Sequence, residues 1–478
     1  MKKLTISRPI LYVFIIAILL RIAMPSLHYY LYSYNNDQIF AERDTWSYYT
    51  PAQSLIDRFE FSRNIDEPEI IRTPGYPIFM IPGLLLGHLP EVTVFLQVIL
   101  SCLTVFVIYK ISWELFQDEQ AAFLTTLVTA FDRTLIFYTY MLMAETLSTF
   151  IISLFLYYVI LYFKNNKLRD IVISAILLVM VIYVKPAGYY LPVFLILSLT
   201  FYLFIKKELT KKLLIHLLIF LIISVSLISM WQIRNYMTTG YKNFAAISDV
   251  NIYFNHAAMV ISEKEGIGFT KIQKRLGFNT FNLNEKVDII GSVMETDNKL
   301  FSNRAQAYEY IRGKGIKIIL SDPILYAKIH LKGMLNILKA VWIPRSLYNW
   351  VNEMSGNHYG IVGLLKNSGL VKTLYIVACN PIMLSTYFLF MGVIFFYIGV
   401  FITIFDIGGD ISKSSKIGIF ILFIIAVYYV TIAGVPGNER MRHPIIPSIS
   451  VLGGMGMSIA IRYIIERWKT YKTKQYAN

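Results

Sequence analysis

Long apolar runs constrain the fold of this chain more than any other feature. Most of them are long enough, at about 17–25 residues, to cross about 30 Å of hydrocarbon as a helix. The runs lie near residues 10–31, 92–109, 121–137, 141–163, 171–186, 188–205, 213–232, 382–405, 417–434 and 445–461. A mean hydropathy of +0.54 also exceeds what a water-soluble domain carries. The sequence therefore predicts an all-α polytopic membrane protein with about ten transmembrane helices.

Lysine and arginine gather on one side of the membrane if every run spans it once. They precede the first run, follow the fourth and sixth runs, and close the chain; examples are Lys2, Lys3, Lys164, Lys167, Lys206, Lys207, Arg462 and Arg467. Cytoplasmic loops carry this excess, so we expect a multi-pass protein of the inner (plasma) membrane with both termini in the cytoplasm. The net charge of +15 is then a signal of topology and requires no nucleic-acid partner.

Two long segments lie on the opposite, extracytoplasmic side. Residues 33–77 form the first, and their mixture of aromatic and polar residues predicts a helix in the membrane interface. Residues 234–371 form the second, in which 305–343 predict one or two further interfacial helices, broken near Asp322-Pro323. We find no repeat or linker that would separate a soluble domain, so 1–478 is expected to form a single membrane-embedded unit.

Two carboxylates near the predicted outer surface are candidates for catalysis. Asp44 lies in the first outer segment, where it can accept a proton from a hydroxyl nucleophile or simply cap the helix that follows. Glu145 lies at the outer end of the fourth run, where an unpaired charge is costly. Its partner is expected to be an arginine or a bound cation, and an ion pair with Arg133 or Lys185 is the structural alternative.

Several cations lie at or near the outer ends of the predicted spans, where basic residues are less common. They are Arg72, Lys185, Arg234, Arg440 and Arg442. Their common position indicates an anion, and a lipid phosphate matches the fork of donors on arginine. Separate binding of each cation to lipid headgroups is the alternative. His443 can protonate or hydrogen-bond the same phosphate, although a lone histidine is more often structural.

Aromatic and amide side chains beside these charges are candidates for contacts with the substrate. These residues are Trp46, Tyr76, Asn235 and Tyr236. For the aromatic residues, a belt at the membrane interface is the simpler interpretation.

Six segments, taken together and in order, resemble the bacterial branch of the GT-C glycosyltransferases, which includes protein O-mannosyltransferases and aminoarabinose (lipid A) transferases. They are Asp44 to Tyr48, RTPGYPIFM, LMAETL, VKPAGYYLP, WQIRNYMTTG and ERMRHPIIP. The resemblance implies a GT-C-like fold and transfer of a sugar from a polyprenyl-phosphate donor on the outer face of the membrane. It also implies that Asp44 is the base and that Glu145 is the acidic residue of the fourth span. Arg234, Arg440 and Arg442 would hold the donor phosphate.

The residues support an inverting displacement, in which the acceptor hydroxyl attacks the anomeric carbon while the lipid phosphate leaves. Many relatives have two adjacent acids in the first outer segment, but this chain has Asp44-Thr45. We therefore assign no metal and no other cofactor, while a divalent metal stays open. The expected partners are the donor, membrane lipids and an acceptor that is a glycan, a lipid or a protein.

Two other classes of function use a similar sequence pattern. A transporter or flippase also needs many spans, but its polar residues usually gather at the middle of the bilayer rather than at outer span ends. A polymerase or ligase of lipid-linked glycans would use the same outer face, so the sequence leaves this alternative open.

Overall fold

The computed structural model is helical in nearly all of the residues that it describes, which are 7–32, 43–64, 67–278, 301, 303–338, 369–373, 375, 394–405 and 412–476. The first nine helices are α1 Arg8–Tyr32, α2 Arg43–Arg58, α3 Gly75–Leu85, α4 Leu89–Phe116, α5 Glu119–Phe131, α6 Arg133–Phe137, α7 Glu145–Asn165, α8 Leu168–Val184 and α9 Leu191–Ile205. The later ones are α10 Lys211–Thr239, α11 Ile247–Asn251, α12 Ala258–Glu265, α13 Phe269–Arg275, α14 Arg304–Leu320, α15 Pro323–Leu338, α16 Ile394–Phe405, α17 Lys413–Ala433 and α18 Ile446–Tyr476. The described residues also include a π-helical turn, Ile252–Ala257, and two 3-10 turns, Pro186–Gly188 and Glu439–Ile445.

One short antiparallel hairpin interrupts the helices. Its strands are β1 Ser62–Asn64 and β2 Glu67–Pro68, within the first predicted outer segment. Glu69, directly after β2, donates its backbone N–H to the carbonyl of Phe61, directly before β1, at 2.9 Å. The hairpin is therefore closed at its base.

Seven helical segments in the described part of the chain are long and apolar enough to cross a membrane. They are α1, α4, α7, α9 with its preceding 3-10 turn, α10, α17 and α18 with its preceding 3-10 turn. The predicted fold class is thereby confirmed. The helix α8, with 17 residues, and α5, with 13, are shorter, and most of the run 382–405 lies outside the described residues. The number of about ten spans stays a prediction.

The predicted run 121–137 is divided in the structure. Helix α5 ends at Phe131, and Asp132 accepts hydrogen bonds from the backbone N–H groups of Thr134 and Leu135 at the start of α6. A carboxylate in this position satisfies donors that the first turn of a helix leaves unpaired. The apolar run hides this boundary because the residues on both sides of Asp132 are mostly hydrophobic.

Helix α7 occupies the centre of the bundle. Leu147, Ile151, Ile152 and Ser153 are all buried, although they point to different sides of the helix. A helix that is apolar and buried on all sides belongs to the core of a large protein. It contacts α4, α8, α17, α18 and the 3-10 turn 439–445. The start of α7, at Glu145, is therefore surrounded by protein.

Arg21 is a buried cation in the middle of α1. Its guanidinium donates to the carbonyls of Thr129 and Ala130 at the end of α5 and to Ser101 Oγ in α4, at 2.8–3.2 Å. The carbonyls at the end of a helix carry partial negative charge and lack partners within the helix. Arg21 thus satisfies the end of α5 and joins three helices.

A second hydrophobic cluster joins the two predicted outer segments. Ile70 and Ile71 of the first segment pack with Tyr241, Tyr253 and Tyr308 of the second. The helices α2, α14 and α15 lie where the sequence predicted helices, and α14 and α15 are separated by Ser321-Asp322, as expected from Asp322-Pro323. Residues 33–42, 65–66, 279–300 and 339–368 of the two predicted outer segments lie outside the described residues.

Candidate active site

The first outer segment brings Asp44 against Arg72. Asp44 lies in the first turn of α2, and one of its carboxylate oxygens accepts from the Arg72 guanidinium at 2.5 Å. Arg72 also donates to Ser47 Oγ at 2.8 Å and lies over the ring of Tyr48, 4.7 Å from its centroid. The Asp44 carboxylate is therefore bound to a side chain from the RTPGYP segment, and helix capping does not describe its contacts.

The RTPGYP segment is held tightly against α8. A Cβ at Gly75 would lie 2.7 Å from the carbonyl oxygen of Tyr183, so only glycine allows this approach. Tyr76 is fully buried, donates to Gln97 at 2.8 Å and contacts the ring of Tyr48 edge to face. Tyr76 therefore packs inside the protein and holds the RTPGYP segment in place. The substrate contact predicted for it would require an exposed side chain.

Arg440 connects this pair to Glu145. It donates to the second oxygen of Asp44 at 2.5 Å and, through Nε, to Glu145. Lys185 donates to the same oxygen of Glu145 at 2.9 Å. The expected pair between Glu145 and Lys185 is therefore present, and Arg440 joins it. We call Asp44, Arg72, Glu145, Lys185 and Arg440 the charge cluster.

The two carboxylates of the charge cluster differ in exposure. The side chain of Asp44 is 27% exposed, whereas that of Glu145 is fully buried. Asp44 is therefore accessible to a bound substrate. Glu145 is not, and its contacts are with the side chains of Arg440 and Lys185. The second oxygen of Glu145 is also buried and accepts no hydrogen bond from the described residues.

Electrostatics inside the charge cluster favour the ionised carboxylate. Burial alone would raise the pKa of Asp44, but Arg72 and Arg440 outweigh it and hold that pKa well below its ordinary value. Burial lowers the pKa of Lys185, and the neighbouring Glu145 opposes this effect. A carboxylate held by two guanidinium groups is a weak base, so Asp44 can take a proton only when at least one arginine turns to another anion.

Arg442 and His443 lie next to Arg440 but face other partners. Arg442 pairs with Asp132 at 2.8 Å, and the exposed fractions of their side chains are only 7% and 5%. His443 is fully buried, shares a hydrogen bond with Thr149 Oγ1 at 3.2 Å and contacts the ring of Tyr138. These contacts anchor the 3-10 turn that carries Arg440.

Arg234 and its neighbours form a separate group. The Arg234 guanidinium donates to the carbonyls of Phe61 and Glu69 at 2.7 and 2.6 Å, and within the described residues it forms no ion pair or hydrogen bond with the charge cluster. Asn235 is buried and donates to the carbonyls of Asn243 and Phe244. Tyr236 is exposed, as is Trp46, whose ring contacts Tyr49 edge to face. The expected meeting of Arg234 and Arg440 is therefore not seen in the described contacts.

The sequence did not indicate the importance of two buried carboxylates, Glu69 and Asp132. Glu69 is 2% exposed and accepts from the backbone N–H groups of Ile71 and Arg72. Asp132 pairs with Arg442 at 2.8 Å. Glu69 follows Glu67-Pro68 and looks like part of a solvated loop, so no local signal reveals its burial. In the part of the chain that the structure describes, no three His, Cys, Asp or Glu side chains come together in a way that could hold a metal ion.

Comparison with known proteins identifies the fold. Residues 73–231 match the family model of the dolichyl-phosphate-mannose-protein mannosyltransferases. The apo structure of the Archaeoglobus fulgidus oligosaccharyltransferase aligns with a TM-score of 0.50 at 12% identity, covering 98% of this chain and 52% of that one. The chain resembles the GT-C glycosyltransferases. The GT-C resemblance drawn from the six segments is thereby confirmed.

Two further structures are similar to this GT-C-like chain. The Archaeoglobus fulgidus oligosaccharyltransferase AglB in complex with an inhibitory peptide and a dolichol-phosphate has a TM-score of 0.47 at 12% identity, covering 91% of this chain and 48% of that one. ArnT from Cupriavidus metallidurans bound to undecaprenyl phosphate has a TM-score of 0.32 at 12% identity, with 87% and 73% covered. The GT-C-like chain spans about half the length of the oligosaccharyltransferase chains that it matches. No curated protein has significant sequence similarity to it.

The family match covers only part of the charge cluster. Glu145 and Lys185 lie within residues 73–231, whereas Asp44, Arg72 and Arg440 lie outside them. The fold of this GT-C-like chain brings the residues inside and outside the matched range together, because Arg440 contacts both Asp44 and Glu145.

Proposed function

We propose that this chain is a membrane glycosyltransferase that moves a sugar from a polyprenyl-phosphate donor to an acceptor on the extracytoplasmic face of the membrane. The observation that carries the proposal is the position of Arg440 between Asp44 and Glu145. It connects the partly exposed carboxylate of Asp44 in α2 to the buried carboxylate of Glu145 at the start of α7, which is long enough to cross a membrane. The GT-C fold and the match to a mannosyltransferase family model support the same class of reaction.

The charge cluster has an excess of positive charge. Arg72, Lys185 and Arg440 supply three cations, and Asp44 and Glu145 supply two carboxylates. Uncompensated charge next to hydrocarbon is costly, so the cluster favours an anionic ligand. The phosphodiester of a lipid-linked sugar has one negative charge and offers several oxygens to guanidinium donors. Its lipid tail would lie in the bilayer beside the cluster.

Binding of the phosphate would activate Asp44. When Arg72 or Arg440 donates to phosphate oxygens, the Asp44 carboxylate loses part of the interaction that makes it a weak base. Asp44 then takes the proton of the acceptor hydroxyl, and the acceptor oxygen bonds to the anomeric carbon. The bond between that carbon and the phosphate oxygen breaks, and its electron pair leaves with the polyprenyl phosphate. Attack from the side opposite to the phosphate inverts the anomeric configuration.

The arginines also stabilise the leaving group. Negative charge grows on the bridging phosphate oxygen as the bond breaks, and preorganised donors aimed at growing charge lower the barrier. Glu145 contributes as a positioning residue, because it holds Arg440 and Lys185 without being exposed itself. The buried pair of Arg442 and Asp132 supports the turn on which Arg440 lies.

Binding of a polyprenyl monophosphate to the purified chain tests this proposal without knowledge of the sugar. We expect Arg440→Gln to weaken binding by about tenfold to a hundredfold, as the loss of a charge-assisted hydrogen-bond donor does. Arg462→Gln is the matched control, because Arg462 also pairs with an aspartate, Asp118, but is far along α18 from the cluster. Equal binding by wild type and Arg440→Gln would contradict the proposal.

A further inference from the structure

Arg234 closes the base of the hairpin in the first outer segment. Its two terminal nitrogens donate to the carbonyls of Phe61, before β1, and Glu69, after β2. The guanidinium also lies over the ring of Trp231, 4.9 Å from its centroid. Arg234 belongs to the last turns of α10, a helix long enough to cross the membrane. One side chain thus fixes both ends of the hairpin to the end of a long helix.

Glu69 continues this connection toward the charge cluster. Its Oε1 accepts from the backbone N–H groups of Ile71 at 2.5 Å and Arg72 at 2.9 Å. Its Oε2 accepts from Arg63 in β1 at 2.9 Å. A buried carboxylate with three donors is held firmly in place. The backbone of Arg72 is therefore fixed by Glu69, whose own carbonyl is fixed by Arg234.

The fixed backbone determines where the Arg72 guanidinium can reach. An arginine side chain has many rotamers, so a defined position requires that its backbone be held and that its donors be satisfied. Arg72 meets both conditions, because Glu69 holds its N–H and Ser47 and Asp44 accept from its guanidinium. A shift of about 1 Å in such a group is enough to reduce a catalysed rate strongly.

We propose that Arg234 and Glu69 are positioning residues, which fix residues 69–72 so that Arg72 holds Asp44 in the charge cluster. This assignment rests on the proposed function for its effect on transfer. It differs from a direct role of Arg234 at the donor phosphate, since both terminal nitrogens of Arg234 already donate to carbonyls. A phosphate could bind them only if the base of the hairpin opened.

Limited trypsin digestion tests the structural part of the assignment without any substrate. Cleavage after Arg63, identified by mass spectrometry, reports whether the hairpin is held. We expect cleavage at least about tenfold faster in Arg234→Gln than in wild type, because local opening becomes easier. Arg234→Lys should restore part of the protection, since one ammonium group can reach one carbonyl. Arg275→Gln, which breaks the exposed pair with Glu265, is the control and should leave cleavage after Arg63 unchanged.

Two variants of Glu69 separate its hydrogen bonds from its charge. Glu69→Gln keeps an oxygen that can accept from Ile71 and Arg72, so protection should stay within about threefold of wild type. Glu69→Ala removes the acceptor and should expose the hairpin as strongly as Arg234→Gln. Unchanged cleavage after Arg63 in both Arg234→Gln and Glu69→Ala would overturn the proposal, whatever the activity of the chain.

A double-mutant cycle tests whether Arg234 acts through Arg72. The readout is the binding of polyprenyl monophosphate to the intact chain. If Arg234 only positions Arg72, the double variant Arg72→Gln/Arg234→Gln should bind within about twofold of Arg72→Gln alone. An equal loss from Arg234→Gln in both backgrounds would mean an independent contact with the phosphate and would refute the positioning role. If the wild-type chain binds no polyprenyl monophosphate, the proposed function is overturned. Trypsin cleavage after Arg63 then still decides whether Arg234 and Glu69 hold the hairpin.

Discussion

Arg440 and Asp44 form an ion pair at 2.5 Å although 396 positions separate them in the sequence. The pair joins the start of α2 to the 3-10 turn before α18, and the same arginine also reaches Glu145. Segments from both ends of the chain and from its middle are therefore required to complete the charge cluster.

Asp44→Asn should reduce transfer by about 10²-fold, because an amide cannot take the proton of the acceptor hydroxyl. Binding of polyprenyl monophosphate should be unchanged or tighter, since Arg72 and Arg440 lose an anionic competitor. Asp57→Asn is the matched control and should keep wild-type transfer. Asp57 lies in the same helix, and Gln53 is the partner of its carboxylate among the described residues. Wild-type turnover in Asp44→Asn would mean that Asp44 is not the base.

Gly333→Ala should destabilise the protein by about 1–3 kcal/mol, as overpacking of a close contact does. A Cβ on Gly333 in α15 would overlap the carbonyl oxygen of Gly434, in the loop that leads to Arg440. Gly313→Ala in α14 is the control, because a Cβ there has no neighbour within 4 Å and alanine favours the helix by roughly 0.5–1 kcal/mol. Thermal unfolding of the two variants should move in opposite directions. A stable Gly333→Ala protein would show that α15 can move away from the loop.

Replacement of Arg442 should be far more costly than replacement of Arg462. Arg442→Met leaves the buried carboxylate of Asp132 without its cation, which costs about 3–5 kcal/mol. Arg462→Met breaks a pair in which the arginine is 47% exposed, so the change should stay within about 1 kcal/mol. Denaturant titration of the two variants measures the difference. Similar losses would mean that the Arg442 pair contributes no more than a surface contact.

His256, Tyr326 and His330 form a hydrogen-bonded chain that should make the stability of the protein depend on pH. His330 Nε2 lies 2.9 Å from the carbonyl of Thr431, which can only accept, so Nε2 carries a proton. In neutral His330, Nδ1 then accepts from the Tyr326 hydroxyl, and His256 Nδ1 donates to that hydroxyl. Burial, with a smaller contribution from His330, lowers the pKa of His256 to about 4.

Stability should therefore fall as the pH falls. The unfolded chain binds a proton at His256 near pH 6.5, whereas the folded chain binds it only near pH 4. The stability contributed by neutral His256 is present above about pH 6.5 and is lost progressively as the pH drops through about 4. The thermal midpoint of wild type should decrease over this range more steeply than that of His256→Gln. The exposed His88→Gln should keep the wild-type slope, and parallel curves for all three proteins would refute the assignment.

The sequence predicted the class of the fold and named all five residues of the charge cluster as candidates from local signals. Long apolar runs require membrane helices, and cations at outer span ends require an anion, so Arg72, Lys185 and Arg440 were identified without a structure. The sequence could not tell which of these cations meet. In the sequence, Arg234 and Arg440 are both predicted to lie at outer span ends. In the structure, Arg234 donates to the carbonyl of Glu69 beside the hairpin, whereas Arg440 donates to Glu145 at the start of α7.

The sequence also could not show which single polar residues are buried. Glu69 stands among charged neighbours in the sequence, yet it is buried, and Ile70 and Ile71 beside it pack against the second predicted outer segment. The local sequence also does not show that Asp132 pairs with Arg442, because Arg442 lies in the distant 3-10 turn 439–445. Such contacts join distant segments, and no periodicity within one segment encodes them.

The central claim is that this chain adds one sugar to an acceptor, with Asp44 as the base. The most direct test is mass spectrometry of envelope lipids, glycans and proteins from cells that contain the wild-type chain, Asp44→Asn or no chain. We predict one class of molecule that carries an additional sugar only when the wild-type chain is present. Identical masses of all envelope molecules in the three cell populations would contradict the account.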